Sequence, residues 1–285
     1  MTPRERWLAA IDRRPADRVA TDFWGTEEVE RSLMKHLGVD SMEAVCERLH
    51  IDRPFAIGAR YVGPPREPGT DAYGCVTRWV EHGTGGYDEV VHNPLADYET
   101  VEEIEEHYTW PLPDWWDVDE VPGRLRAAGE LPVQVMMAGV YTDYTKLRGM
   151  EQAFIDFAIN PEIVEYCLGK MYALSEERTV RVLEAAAGRV DVGWIFHDLG
   201  SQQAMLVSPV TFRKLLLPGI ERLAAVARQA GIRVCLHSDG AIREAIPDLL
   251  RVGVEVLNPI QWRCEGMDRQ ALFDDFADRV TFHGA

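Results

Sequence analysis

Apolar positions along the chain alternate between two rhythms. In residues 2–12, Trp7, Leu8 and Ile11 share one helical face, with Thr2 as cap and Pro3 in the first turn, so a helix is expected there. Residues 18–25, RVATDFWG, read as a buried strand ending in a turn. Helical spacing returns in residues 27–37 and, behind Ser41 as cap, in 41–49; residues 51–57 give a second strand that carries Pro54. Beyond residue 130, apolar runs at 132–138, 191–196, 233–236, 255–257 and 279–282 alternate with helical patterns at 150–157, 161–186, 209–230, 241–251 and 268–276. Gly188, Gly231 and Gly253 stand just past helix ends, where a left-handed residue closes a helix. Repeated strand, helix, strand is the pattern of a parallel α/β sheet.

Residues 61–130 break that rhythm with PP, EPG, GTGG and WPLPDWW. Alternation over 73–79 and 87–91 around a turn at 83–86 predicts a hairpin, and 100–107 a short helix. The whole stretch is expected as a lid-like insertion over one end of a single domain spanning 1–285. Seven strands with single crossover helices predict an α/β fold of the (β/α)8 TIM barrel type lacking its last βα unit, since the chain stops just after the seventh. An open doubly wound sheet is the alternative, disfavoured because no GxGxxG or P-loop follows any strand.

Composition narrows the function classes. Lys plus Arg is 30 and Asp plus Glu 47, a formal charge of −17, which speaks against nucleic acid and against an anionic membrane surface. With 46% hydrophobic and 27% charged residues over 285 positions, the chain has globular composition. Five scattered cysteines without a CxxC pair, a charged N-terminus without an apolar run, and no long apolar stretch predict reduced thiols and a cytoplasmic location.

In a barrel the active site lies at the C-terminal ends of the strands. That rule selects Asp22 and Trp24 after the first strand, His197 and Asp198 followed by Gln202 after the fourth, His237 and Asp239 after the fifth, Asn258, Gln261 and Cys264 after the sixth, and His283 after the seventh. His237-x-Asp239 places an imidazole and a carboxylate on one side of the chain, as two ligands of a divalent ion would be; Cys264 could add a thiolate. The plainer readings are that His237 bonds a backbone carbonyl, Asp239 caps the next helix, and Cys264 is an inert buried thiol. His197 and Asp198 are an acid/base pair or substrate contacts, or else a packed histidine beside a turn cap. Ser208 before Pro209 is expected as a helix cap. Trp110, Trp115 and Trp116 are expected to pack, and Glu102, Glu103, Glu105 and Glu106 to form a solvated face.

FHDLGSQQAMLVSPVTFRKLLLPGI, HSDGAIREAIPDLLRVGVEVLNPIQ and VTFHGA, together with TDFWGT near the N-terminus, resemble the uroporphyrinogen decarboxylase superfamily over nearly the whole chain. The resemblance implies a (β/α)8 barrel and one of two chemistries. Decarboxylation of uroporphyrinogen uses no cofactor, an aspartate after the second strand and arginines after the first. Methyl transfer between a corrinoid and a thiol or similar acceptor uses zinc held by a His-x-Cys pair and a distal cysteine. Here Phe23-Trp24-Gly25-Thr26-Glu27-Glu28 carries no arginine, and Ile57-Gly58-Ala59-Arg60 carries no aspartate. His237 matches the zinc histidine, whereas Asp239 stands where the methyltransferases have cysteine, with Cys264 as a substitute ligand.

The leading expectation is therefore a metal-dependent methyltransferase. His237, Asp239 and Cys264 would hold zinc and a corrinoid protein would be the partner. His197, Asp198 and Asp22 would act in catalysis, with Trp24, Tyr61, Gln202, Asn258, Gln261 and His283 around a small-molecule substrate. A carboxy-lyase on a carboxylated substrate, with Asp22 or Asp198 as the acid, is the alternative; a non-catalytic ligand-binding barrel is the third. An open barrel edge favours a homo-oligomer.

Overall fold

The computed structural model describes residues 1–83 and 85–284. Six strands, Phe55–Ile57, Val133–Ala138, Val192–Phe196, Arg233–His237, Val256–Asn258 and Thr281–Phe282, form one sheet. Every neighbouring pair is parallel and the spatial order follows the chain. A doubly wound sheet reverses its strand order at a switch point; this one never does, as in the wall of a (β/α) barrel. Among the described residues no pairing joins Phe55–Ile57 to Thr281–Phe282, so the wall is not closed.

The sheet has one strand fewer than expected. Residues 18–25 form no strand and pair with none among the described residues. Val19 is 83% exposed, and the backbone groups of Thr21 are taken by Asp52: its amide donates to the Asp52 carboxylate and its carbonyl accepts from the Asp52 amide, at 3.1 and 2.8 Å. Asp52, through its buried carboxylate and its backbone amide, stands where a neighbouring strand would.

One face of the sheet packs on the long helix Pro161–Ala185 and on Leu217–Ala230, forming the larger core through residues such as Val133, Val135, Ile195, Leu236 and Leu257. The other face carries Val192, Trp194, Cys235 and Val256, covered by Trp7 and Ile11 of the N-terminal helix Pro3–Ile11. That helix starts as the sequence predicts, with Thr2 and Glu5 forming a reciprocal cap. Inward-facing side chains thus alternate with helix-facing ones along each strand.

Between the first two sheet strands lie the ribbon of Arg60–Tyr61 with Trp116–Asp117, the hairpin Val76–His82 with Gly85–His92, and the helix Val101–His107. The hairpin strands run further into the glycines than expected, so Gly85 and Gly86 are strand residues; Thr84 of the expected turn lies outside the described residues. Val121–Ala128 is a helix packed against Phe55–Ile57, so the end of the expected insertion is that strand's crossover helix. Val140–Arg148 is a further unexpected helix, while residues 241–245 are not helical and the helix there begins at Ile246. All five cysteines are unpaired, and among the described residues no helix is long and apolar enough to cross a membrane.

Candidate metal centre at the strand ends

Adjacent parallel strands bring Phe196 and His237 into register, so the loops that leave them are neighbours. Asp198, His237 and Asp239 meet there, each with a ligand atom within 4.8 Å of the others. His237 Nε2 stands 3.4 Å from Asp198 Oδ1. Two ligands of a tetrahedral zinc at roughly 2.1 Å lie about 3.4 Å apart, so this pair fits such an ion. One imidazole and two carboxylates form a harder donor set than the thiolate-rich site that the sequence resemblance implies.

The two loops hold each other in place. Gly240 adopts φ 85°, and a Cβ there would come within 2.3 Å of the Gly200 backbone. Ala241 donates its amide to the Ser201 carbonyl at 2.7 Å, and the Leu199 amide donates to Ser238 Oγ at 2.9 Å. Gln261, from the next strand's loop, accepts from the Gly240 amide and donates through Nε2 to Asp239 Oδ1, both at 2.8 Å. Asp239 is therefore fixed by Gln261 and caps no helix. Cys264 lies outside the trio: its thiol faces Gln261 Oε1 at 3.6 Å, one residue removed from Asp239.

Three rings wall the site. Phe196 stacks on His237 at 4.7 Å between centroids, and Trp24 stacks on both at 5.8 Å. Asp22, Trp24, His237, Asn258 and His283 share a cleft of about 890 Å³ that runs along the inner face to Trp7. Burial works against the charged form of His237, but the Asp198 and Asn258 contacts outweigh it and raise its pKa above the ordinary value. The same hydrogen bond from His237 holds Asp198 below the usual carboxylate range.

His197 is placed differently from its neighbour Asp198. It is fully buried, with Nδ1 on the Phe196 carbonyl and Nε2 2.9 Å from the Tyr172 hydroxyl. Asp22 is tied down by the Phe23 amide, Trp24 Nε1 and His283 Nε2 at 2.7, 2.8 and 3.2 Å. Tyr61 lies in the ribbon, edge-on to Trp115 and Trp116, with its hydroxyl on the Pro64 carbonyl. Gln202 is exposed and touches the Cys264 loop through its backbone carbonyl. Ser208 caps its helix as expected, accepting from the Thr211 amide. Sequence reasoning passed over Asp143, in the helix after Val133–Ala138, whose carboxyl is pushed up to about 6 chiefly by burial. Its one signal was its place five residues past a strand end.

No protein-family model matches the sequence, and no curated protein aligns with it. Solved structures do match. The chain shares the fold of a methyltransferase from Methanosarcina mazei. The two superpose with a TM-score of 0.60 over 91% of this chain and 76% of that one, at 20% identity.

Proposed function

We propose that this chain is a metal-dependent methyltransferase of the uroporphyrinogen decarboxylase superfamily, moving a methyl group between a partner-borne corrinoid and a small acceptor. The observation that carries the reading is the Asp198, His237, Asp239 trio at neighbouring strand ends of a fold shared with a methyltransferase. His237 Nε2 and the two carboxylates would hold a divalent ion, with zinc the first candidate. Such an ion, bound there, lowers the pKa of an acceptor thiol or hydroxyl so that a nucleophile exists at neutral pH.

The chain's own residues do the rest. Gln261 keeps Asp239 on the site, and Phe196 and Trp24 offer apolar walls to the methyl group and its carrier. A corrinoid-bearing partner would supply the methyl group, and the open cleft beside His237 would let the acceptor's proton pass to solvent. Residues 61–120, with Tyr61 and short of the crossover helix Val121–Ala128, are assigned the cover that would keep water from the cleft.

Elemental analysis of the purified chain and of His237→Ala tests this. Stoichiometric zinc in the first and none in the second is the expected result, with methylcobalamin demethylation lost in chelator. A specific observation favours one other reading: the His237–Asp198 pair is by itself a metal-free acid/base couple. A carboxy-lyase built on it would use His237, kept protonated by Asp198, as the acid. Chelator-resistant decarboxylation by a zinc-free chain would establish that reading and overturn the metal.

A further inference from the structure

Asn258 ends its strand between two histidines, and the three side chains form a line across the cleft. His237 Nδ1 lies 2.7 Å from Asn258 Oδ1, Asn258 Nδ2 lies 2.6 Å from His283 Nδ1, and His283 Nε2 lies 3.2 Å from Asp22 Oδ2. At the other end His237 Nε2 faces Asp198 Oδ1. Asn258 is 5% exposed, so water does not decide which way its amide points.

A second contact decides it. Asn258 Nδ2 is also 3.3 Å from the backbone carbonyl of His283, which can only accept. A flipped amide would set its own oxygen against that carbonyl. With the amide nitrogen on the His283 side, its two hydrogens go to the His283 carbonyl and to His283 Nδ1. His283 Nδ1 must then be unprotonated, and the ring's hydrogen sits on Nε2, donated to Asp22. Asn258 Oδ1 in turn can only accept, so His237 carries a hydrogen on Nδ1.

We infer that Asn258, anchored by His283 and Asp22, fixes His237 as the Nδ1–H tautomer, so that its Nε2 lone pair is aimed at Asp198 and Asp239. The consequence is electrostatic. A neutral His237 then points a lone pair at a carboxylate oxygen 3.4 Å away, two acceptors with nothing between them. A proton on Nε2, as in the His237–Asp198 hydrogen bond described above, or a metal ion in its place fills that gap. Asp22, Asn258 and His283 are positioning residues: they act on the ion only through His237, as outer-sphere partners that set a ligand's tautomer do elsewhere. The metal-binding role rests on the reading proposed above; the proton positions do not.

Long-range proton–nitrogen correlation spectra of the metal-free chain in alkaline buffer, where the imidazoles are neutral, test the proton positions directly. His237 is expected as the Nδ1–H form and His283 as the Nε2–H form, each assigned by loss of its signal in a His→Gln variant. An Nε2–H signal for His237 overturns the inference. Zinc titration against a chromophoric competitor then tests the positioning role. Asn258→Ala is expected to weaken zinc about 10- to 100-fold, and Asn258→Asp, which keeps an acceptor on the His237 side, to restore most of it while moving the His283 proton to Nδ1. Wild-type affinity in Asn258→Ala overturns the positioning role. Absence of zinc binding in every form, with His237 still Nδ1–H, removes the metal reading and leaves the proton positions standing.

Discussion

His197, one residue past its strand, donates its amide to the carbonyl of His237 on the neighbouring strand, and the two rings hold opposite electrostatic positions. His197 has no access to solvent and both its nitrogens are engaged inside the protein, so burial pushes its pKa down to about 4. Unfolded imidazole titrates near 6.5, so below that pH the unfolded chain takes up a proton that the folded chain refuses. The contribution of a neutral His197 is therefore whole above roughly pH 6.5 and is lost as the pH falls toward about 4, by something of the order of 3 kcal/mol. His237, with its raised pKa, works in the opposite direction, so the difference between wild type and variant is the useful quantity. Urea unfolding at neutral pH and near pH 5 should show a smaller acid loss in His197→Gln. Equal losses in both proteins would place the acid sensitivity elsewhere. The sequence marked both histidines alike, as strand-end residues; only burial, which depends on Tyr172 from a distant helix, separates them.

At the scale of elements, the site is a matter of two loops and how closely they meet. Gly240 combines a left-handed backbone with a contact against Gly200 that leaves no room for a methyl group. Gly231 also has positive φ, 71°, but nothing lies within 4 Å of where its Cβ would be. Gly231→Ala should thus cost only the left-handed penalty of roughly 1–2 kcal/mol and leave zinc binding intact. Gly240→Ala should cost more and also part Asp198 from Asp239, lowering zinc affinity; thermal melts and the same competition titration read both. Equal behaviour of the two variants would mean that the loop contact does not hold the site. Elements such as Glu27–Leu37 and Asp268-capped Arg269–Phe276 were legible because caps and 3.6-residue spacing are local signals. The strand expected at 18–25 failed because a short apolar stretch such as RVATDFWG says nothing about whether a partner strand exists. The helix Val140–Arg148 went unseen because its apolar residues are mixed with Thr142, Asp143 and Thr145 and it has no side-chain cap.

Across the whole molecule, the unpaired stretch of residues 18–25 stays against the sheet through charge instead of strand pairing. Asp52 is 1% exposed and accepts from Arg6, from both terminal nitrogens of Arg18 and from the Thr21 amide, while Asp17 takes the other side of Arg6. This cluster joins the N-terminal helix, the wall of the cleft and the start of the first sheet strand, and so carries Asp22 and Trp24 to the site. None of it was visible in the sequence, where Arg6, Asp17, Arg18 and Asp52 are scattered charges in a chain full of them. Removing the shared carboxylate would leave Arg6 buried with Asp17 as its one carboxylate partner, a loss of about 3–5 kcal/mol for an interior pair broken on one side. Asp52→Ala should accordingly lower the urea midpoint and, by hydrogen exchange, expose the Thr21 amide and its neighbours well before the strands of the sheet. Because the relay through Asp22 begins on this wall, the variant should also weaken the tautomeric preference of His237. Unchanged exchange at Thr21 would show that Trp24, stacked on Phe196 and His237, holds the wall in place without the ion cluster.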